Sequence, residues 1–365
     1  MLQSLSWRAL NIAFKQTFAH ASASRDATHT LWVEARSRDG LLGYGEGCPR
    51  EYVSHETLAG AAAFVESQRE GLIATIRDLD TLRSRVERHG PEIDANPAAW
   101  CAIELALLDL LARRNGQTVE ALLELPRLSG RFRYTAVIGD VSPQRFHAQL
   151  ARYLTAGFRD YKIKLSGNAA LDRAKVAALK AAGIEGAAVR ADANNLWTSA
   201  DRAIDFLSGL DFPFVALEEP LKAGDFPGMR RIAATFDCAI ILDESLLRDR
   251  QLNALGDSAV RWLVNLRVSK MGGLLRSLRL AHRIRQAGLK MIVGAHVGET
   301  SLLTRAALAV ANSARDILYA QEGAFGTHLL ERDVVHSPIM FGAGGVLEAQ
   351  AVPTGFGFAL RYTAL

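Results

Sequence analysis

The regular spacing of charged residues in the C-terminal two-thirds of the chain constrains its fold more than any other feature. After about Leu128, eight short β-rich segments alternate with helical stretches: YTAVIG, YKIKL, AAVRADAN, FVALEEP, AIILDES, WLVNLRVSK, KMIVGAH and ILYAQEG. Five of these segments carry charged residues near their ends at intervals of 24 to 28 positions, namely Lys164, Asp192, Glu218, Asp243 and Arg267. One strand with its helix has this length in a parallel α/β protein, so the spacing predicts such a domain.

A closed barrel fits this pattern better than an open, doubly wound sheet. An open sheet needs a crossover switch point and usually a glycine-rich phosphate loop, and no G-x-G-x-x-G follows the first β-rich segment. In a barrel the functional residues gather at the C-terminal ends of the strands, which is where these charges occur. We therefore expect the charged residues to share one mouth of a barrel.

The first third of the chain has a different pattern, which predicts an α+β unit. Residues 28–46 form two β-rich runs around Asp39-Gly40, a strong hairpin signal. From about Glu56 to Leu123 the pattern is helical, and the apolar stripe in AAWCAIELALLDLLARR indicates a helix that starts near Asn96-Pro97 and stops near Asn115-Gly116.

Composition and charge exclude several classes of protein. The 365 residues are 49% hydrophobic, as in a globular protein, and the net charge of +4 comes from scattered basic residues, which argues against a nucleic-acid partner. Cys48, Cys101 and Cys238 are odd in number and lack C-x-x-C spacing, so we expect neither a disulfide framework nor a structural zinc. The N-terminal MLQSLSWRALNIAF is too polar for a signal peptide, and we expect no transmembrane segment, no membrane partner and a cytoplasmic location.

The segment YKIKL places two lysines on one face of a strand, because alternate residues point the same way. On a surface edge strand, Lys162 and Lys164 would only discourage aggregation. Inside a cavity, the positive charge of one lysine would favour the neutral form of the other, which could then act as a base. The barrel pattern favours the second interpretation.

Three successive strand ends carry acids, in RADAN, LEEP and LDES. Taken singly, each acid could be a solvated or loop-capping carboxylate. Together, one carboxylate from each segment, namely Asp192, then Glu218 or Glu219, then Asp243 or Glu244, would converge on one volume and need a cation. An all-oxygen site points to magnesium first and manganese second.

With these motifs the chain resembles the enolase superfamily, most closely its muconate-lactonizing-enzyme subgroup, which also includes mandelate-racemase-like relatives. The residues that carry the resemblance are YKIKL, RADAN, LEEP, LDES and SKMGG in the barrel, with DGLLGYGE and AIELALLDLLARRNGQTVEALL before it. The resemblance implies a modified TIM barrel, (β/α)7β, at residues 126–345, an α+β capping domain at residues 1–125, and a segment at residues 346–365 that returns to the cap. It further implies that Asp192, Glu218 and Asp243 hold magnesium and that Lys164 removes a proton next to a substrate carboxylate, with Lys162 supplying charge. We then expect the adjacent acids Glu219 and Glu244 to point elsewhere.

The chain departs from the family pattern at the sixth strand. Members of the subgroup usually carry a second lysine where NLRVSKMGG has Arg267, and Lys270 follows three residues later. Arginine stays protonated at any working pH, so Arg267 cannot be the second base of a racemase, although it can stabilise an anion. Alternatively, Arg267 only pairs with Asp243 or another strand-end acid.

The seventh and eighth strands offer further candidates. His296 occupies the place where mandelate-racemase-like relatives carry a catalytic histidine, although such a histidine is more often structural or substrate-binding. Glu299 could be its partner or an independent acid. AQEGAFG contains Glu322 and Phe325 but not the Asp-x-Asp with which dipeptide epimerases hold an ammonium group. The cap should close the barrel mouth, and its candidate residues are Phe18, His20, Arg25 and Tyr52.

These observations predict a magnesium-dependent isomerase or lyase that removes the α-proton of a small carboxylate through an enediolate. One base and a fixed cation favour elimination, dehydration or cycloisomerisation, whereas Lys164 with His296 would permit racemisation or epimerisation. The alternative is a non-catalytic, small-molecule-binding barrel that retains the metal site. We also expect the protein to form a homo-oligomer.

Overall fold

A computed structural model describes residues 2–20, 23–256 and 260–361, apart from the side chains of residues 19, 20, 23, 24 and 187. In the N-terminal part, the strands are β1 (Leu2–Leu10), β2 (Ala13–His20), β3 (Ala23–Ala27), β4 (Thr30–Ser37) and β5 (Leu42–Gly47). The helices that follow are α1 (Glu51–Ser54), α2 (Leu58–Thr75), α3 (Leu79–Arg88), α4 (Gly90–Ala95), α5 (Pro97–Arg114) and α6 (Val119–Leu122).

The N-terminal part forms the predicted α+β unit. Strands β1, β4 and β5 make an antiparallel sheet, and β2 pairs with β3 in a separate ribbon. Strands β4 and β5 are joined by the predicted turn, in which Gly40 adopts a φ of 86° that glycine accepts readily. Helix α5 has the predicted bounds, since Pro97 is its first residue and Asn115 its C-cap. Both predictions are therefore confirmed.

Small residues bring β5 and α5 into direct backbone contact. Alternate glycines of the strand, Gly43, Gly45 and Gly47, face the helix. A Cβ atom on any of them would overlap a carbonyl oxygen of the helix, those of Ala106, Ala102 and Ala98 respectively. The buried helix can therefore lie closer to the sheet than larger side chains would allow.

The C-terminal part is a curled sheet of eight parallel strands surrounded by helices. After β6 (Arg131–Arg133), its strands are β7 (Ala136–Ile138), β8 (Tyr161–Lys164), β9 (Val189–Asp192), β10 (Ala216–Glu218), β11 (Ala239–Leu242), β12 (Trp262–Leu266), β13 (Lys290–Val293) and β14 (Leu318–Gln321). The connecting helices are α7 (Pro143–Thr155), α8 (Ala169–Ala181), α9 (Ala200–Ser208), α10 (Phe226–Phe236), α11 (Val268–Met271), α12 (Leu274–Gln286) and α13 (Ser301–Ser313).

These eight strands correspond to the eight β-rich segments of the sequence, and they pair in chain order. The amide of Thr135, just before β7, donates to the carbonyl oxygen of Gln321 on β14 at 2.8 Å and so links the first strand to the last. Between β11 and β12 the crossover contains a 3-10 helix, Asp249–Ala254, in place of an α-helix. The predicted (β/α)7β barrel is confirmed.

After β14, the chain passes through 3-10 helices at Gly326–His328 and Ala343–Gly345 and then forms β15 (Val346–Glu348), which pairs with β6. It continues to the N-terminal unit, where the amide of Phe356 donates to Asp109 on α5 at 2.8 Å. One hydrophobic cluster extends from Leu2 to Phe356 through both units. We propose domain boundaries at residues 1–125, 126–345 and 346–365, of which residues 362–365 lie outside the described part.

No helix within the described ranges is long and apolar enough to cross a membrane.

Candidate active site

Strand β8 carries both lysines into the barrel, and all four of its residues are buried. The Nζ atom of Lys162 lies 2.7 Å from Glu218, 2.7 Å from Glu322 and 3.3 Å from Asp192. Burial alone would lower the pKa of Lys162, but these three carboxylates raise it above its usual value. Lys162 is therefore a fixed cation, and the surface edge-strand interpretation is wrong.

Lys164 lies closer to the barrel mouth and is 8% exposed. Its Nζ atom contacts Asp192 at 2.5 Å and the side-chain oxygen of Asn194 at 2.8 Å. The backbone at Lys164 is fixed by Lys175, whose buried ammonium donates to the carbonyl oxygen of Lys164 at 2.8 Å. The same ammonium contacts Asp172 at 2.9 Å, and Asp172 accepts the amides of the following loop. This support fixes the end of β8.

The three acids predicted as metal ligands are brought together by the register of the sheet. Asp192 pairs with Lys164 on one side and with Glu218 on the other, and Asp243 follows the end of β11 directly. Their exposed fractions are 0%, 1% and 0%. Burial and the nearby Asp192 raise the pKa of Glu218 to about 7. Repulsion from Asp192 thus contributes to the shift at Glu218, and a further cation would relieve it.

The chemistry of these acids fits a hard divalent cation, because all their ligand atoms are carboxylate oxygens. Within the described ranges, no three His, Cys, Asp or Glu side chains are already arranged as a metal site. In this structure an ammonium or guanidinium group contacts each carboxylate: Lys162 and Lys164 contact Asp192, Lys162 contacts Glu218, and Arg267 contacts Asp243. A bound ion would take over the neutralisation that these cations provide.

Arg267 and Lys270 both hold Asp243, but from different sides. The guanidinium of Arg267 forms a short ion pair with Asp243 and lies 3.9 Å from Glu218. Lys270 is 1% exposed and donates to Asp243 Oδ1 at 2.8 Å and to the carbonyl oxygens of Asp243 and Asn265. Lys270 lies on α11 and is absent from the pocket lining, whereas Arg267 belongs to it. Lys270 therefore does not replace the missing lysine of the sixth strand.

His296 also lines this pocket and contacts Arg267. Its Nδ1 atom lies 3.2 Å from the guanidinium. Since a guanidinium can only donate, Nδ1 accepts, and a neutral imidazole then carries its proton on Nε2. Burial and the charges of Arg267 and Arg50 hold the pKa of His296 well below its usual value. His296 is thus a neutral hydrogen-bond donor at Nε2. Glu299 accepts the backbone amide of His296 at 2.7 Å.

Glu219 and Glu244, the acids next to the predicted metal ligands, point in different directions. Glu219 turns away from the pocket and accepts hydrogen bonds from the amides of Asp243 and Ser245 at 2.6 and 2.7 Å. Glu244, however, lines the pocket with both lysines and Arg267, so the expectation that it points elsewhere is wrong. Strand β11 ends at Leu242, and the alternation of side chains does not continue past the end of a strand.

Of the three cap candidates whose side chains the structure describes, two line the pocket. Phe18 and Tyr52 face the lysines across a cavity of about 50 Å³. The guanidinium of Arg25 lies 5.9 Å from the ring centre of Tyr52 and so supports that ring. The side chain of His20 lies outside the described residues.

Sequence reasoning did not single out Asn194 and Asn265. Asn194 contacts Lys164, and Asn265 on β12 donates to Glu218 at 3.0 Å. Asn194 has a φ of 45°, which asparagine tolerates better than most residues, and the ADANN sequence was the signal for such a turn. A buried asparagine within a strand, as in WLVNL, was the corresponding signal for Asn265.

Comparisons with known proteins agree with this arrangement. A family model described as enolase C-terminal domain-like matches residues 145–363. A hydrophobic dipeptide epimerase of Enterococcus faecalis is 26% identical over 329 residues, covering 87% of this chain and 89% of that protein. An L-Lys-D/L-Arg epimerase of Methylococcus capsulatus is 30% identical over 321 residues, covering 86% and 87%. The Enterococcus faecalis dipeptide epimerase, solved with Mg and L-Leu-L-Tyr, has a TM-score of 0.83 at 25% identity and covers 98% of this chain and 99% of that chain.

The family model covers more than half of the chain, and the relatives extend over the N-terminal unit as well. They are named as epimerases, which gives no support to the alternative of a non-catalytic barrel. The chain therefore belongs to the enolase superfamily, in its muconate-lactonizing-enzyme group, and is an enzyme of that superfamily.

Proposed function

We propose that this enzyme removes the α-proton of a carboxylate substrate with Lys164, in a magnesium-dependent reaction that passes through an enediolate. The observation that carries the proposal is the position of Lys164, which faces the pocket at the end of β8 with Asp192 beside it and the fixed cation Lys162 behind it. A base needs access to the substrate, and Lys164 is the more exposed of the two lysines.

The proposed ligands of magnesium are Asp192, Glu218 and Asp243. Magnesium supplies positive charge that lowers the energy of an enediolate, and manganese could do the same. Lys162 contributes a permanent charge, because Glu218 and Glu322 hold it protonated. Arg267 contributes a second charge from the opposite wall of the pocket. Both cations are positioned before the substrate binds, so little rearrangement of the site is needed when negative charge develops on the substrate.

The step after proton removal depends on which groups can transfer a second proton. Arg267 stays protonated, and His296 has its Nδ1 atom occupied by Arg267. We infer a reaction completed by Lys164 alone, in which the lysine returns its proton to the product or to a leaving group. Elimination, dehydration and cycloisomerisation all meet this description.

Racemisation or epimerisation is the second candidate, and the names of the relatives favour it. It requires proton transfer on the face opposite Lys164, where His296 is the available group. A free ammonium group on the substrate is disfavoured, because the segment after the eighth strand, AQEGAFG, lacks the Asp-x-Asp with which dipeptide epimerases hold such a group. We therefore expect an N-acylated amino acid or another carboxylate without a nearby ammonium group.

Exchange of the α-proton with deuterated water tests the proposal. The magnesium-loaded protein is incubated with N-acetyl amino acids and other carboxylates, and loss of the α-proton signal is followed by NMR. Lys164→Ala should slow exchange by about 100- to 10,000-fold, the range for a lost general base. Lys180→Ala is the control, since Lys180 is an exposed lysine paired with Asp211 at 3.0 Å. Exchange that survives in Lys164→Ala would contradict the proposal.

A further inference from the structure

We propose that the substrate carries a flat, apolar group away from its reacting carboxylate, and that this group binds in a second cavity beside the catalytic pocket. This inference rests on the proposed function, which identifies the carboxylate and the α-carbon as the reacting end of the substrate. We call the second cavity the aromatic cavity. Its volume is about 300 Å³, and rings from several parts of the chain line it: Phe18, Tyr153, Phe158, Phe325, His328 and Phe341.

The aromatic cavity lies next to the catalytic pocket, and the two share part of their lining. Phe18, Val137 and Phe325 line both spaces, and each of them is half-buried. The catalytic pocket alone has about 50 Å³, a sixth of the volume of its neighbour. A substrate with its carboxylate and α-carbon at Lys164 would therefore extend its remaining atoms past these three side chains.

The walls of the aromatic cavity are arranged before any ligand binds. Phe341 is the centre of a group of rings, with Phe158 at 5.4 Å and Phe325 at 5.7 Å in edge-to-face geometry and His328 stacked at 4.7 Å. His328 also hydrogen-bonds the carbonyl oxygen of Phe341 at 2.8 Å, and the Phe341 amide donates to Ala324 at 3.2 Å. Fixed ring faces and edges favour another flat ring as their ligand.

The charges around the aromatic cavity also favour an apolar ligand. Among the described residues that line it, none is acidic, and the charged Arg152 is exposed at its rim. A substrate ammonium or guanidinium group would find no carboxylate partner there. An acidic group could reach Arg152 only at the rim, whereas the interior offers Leu329, Val137 and the rings. The aromatic cavity therefore suits a phenyl or similar group best.

The experiment compares three probes, N-acetyl-L-phenylalanine, N-acetyl-L-alanine and N-acetyl-L-glutamate, by calorimetric binding to the magnesium-loaded protein. We expect the phenylalanine probe to bind at least about tenfold more tightly than the alanine probe, as expected for burial of a phenyl group. Equal affinities, or a preference for the glutamate probe, would overturn the inference.

Variants that fill the aromatic cavity provide the structural test. Ala156 is the C-cap of α7, is followed by glycine, and lines this cavity but not the catalytic pocket. Ala156→Phe should abolish the preference for the phenylalanine probe. Ala287→Phe is the matched control, because Ala287 is also a C-cap alanine followed by glycine but is exposed. Gln149→Trp fills the same cavity from a half-buried helix position and should act like Ala156→Phe. A preference unchanged in both filling variants would contradict the inference.

The two proposals fail separately in this experiment. Binding of the phenylalanine probe that depends on the aromatic cavity, without α-proton exchange of any carboxylate, would reject the proposed function and keep the binding site. Lys164-dependent exchange of carboxylates of every size, without a preference for the phenyl group, would reject the aromatic cavity as a substrate site and keep the proposed function.

Discussion

At the scale of single residues, Arg267 decides which reactions the site can perform. It pairs with Asp243, as the structural alternative expected, but it also contacts His296 and lines the pocket. We expect proton exchange in the native enzyme to retain configuration and to survive His296→Asn. Arg267→Lys keeps a cation that can lose its proton, so we expect inversion to appear in that variant. Chiral analysis of the substrate recovered from deuterated water measures both outcomes.

Inversion by the native enzyme has two distinguishable meanings. If it disappears in His296→Asn, then His296 is the second base of a racemase or epimerase. If it persists in that variant, our interpretation of Arg267 is wrong.

Single substitutions also test the proposed metal ligands. Replacing Glu218 by Gln removes one of three proposed charges, so we expect magnesium binding to weaken by about 1 to 3 kcal/mol, the range for a lost charge-assisted contact. Glu185→Gln, at an exposed acid before β9, should leave the affinity unchanged. Calorimetric titration with magnesium compares the two variants, and equal affinities would remove Glu218 from the site.

At the scale of elements, contact between β5 and α5 depends on glycine. Gly45→Ala would place a methyl group on the carbonyl oxygen of Ala102, and the helix backbone cannot yield as a flexible side chain can. We expect a loss of about 3 kcal/mol in the free energy of unfolding, near the upper end for overpacking. Gly71→Ala is the control, because Gly71 lies within α2 with open space around it and should gain up to about 1 kcal/mol. Urea denaturation measures both, and a neutral Gly45→Ala would contradict the close packing.

At the scale of the whole molecule, buried acids join the N-terminal unit to the barrel. Glu46 on β5 accepts the side chain of Thr300, the N-cap of α13, at 2.7 Å and its amide at 3.1 Å. Burial raises the pKa of Glu46 to about 7. Glu104 on α5 accepts the amide of Leu275 at 2.9 Å, and its pKa is also raised to about 7 by burial. Burial therefore favours the protonated form of both carboxylates in this interface.

This arrangement predicts a pH dependence of stability. Because the pKa of Glu46 is higher in the folded than in the unfolded state, its contribution is fully present below about pH 4.5 and is lost as the pH rises through about 7. The loss for this residue is at most about 3 kcal/mol. Urea denaturation at pH 5 and pH 8 should show a smaller difference in Glu46→Gln than in the native chain. An equal difference would exclude ionisation of Glu46 as a cause.

Much of this architecture could be predicted from the sequence, because the relevant signals are local. Side chains alternate in a strand whatever surrounds it, so YKIKL placed Lys162 and Lys164 on one face. The length of a β/α unit fixed the spacing of the strand-end charges, and the hairpin and α5 were indicated by their own turn and capping residues. The glycines in GYGEG, in contrast, gave no indication of their partner helix before the structure was known.

By itself, the sequence determined the eight strands, the capping unit and the set of charged residues at the barrel mouth. Only the tertiary structure decided how those charges pair: Lys162 with Glu322 where the sheet closes, Lys270 behind Asp243, and Glu244 in the pocket. It also created the aromatic cavity from Phe18, Tyr153 and Phe341, which are far apart in the chain. The physical reason is that strand and turn propensities act over a few residues, whereas contacts across the barrel depend on how the whole sheet curls and closes.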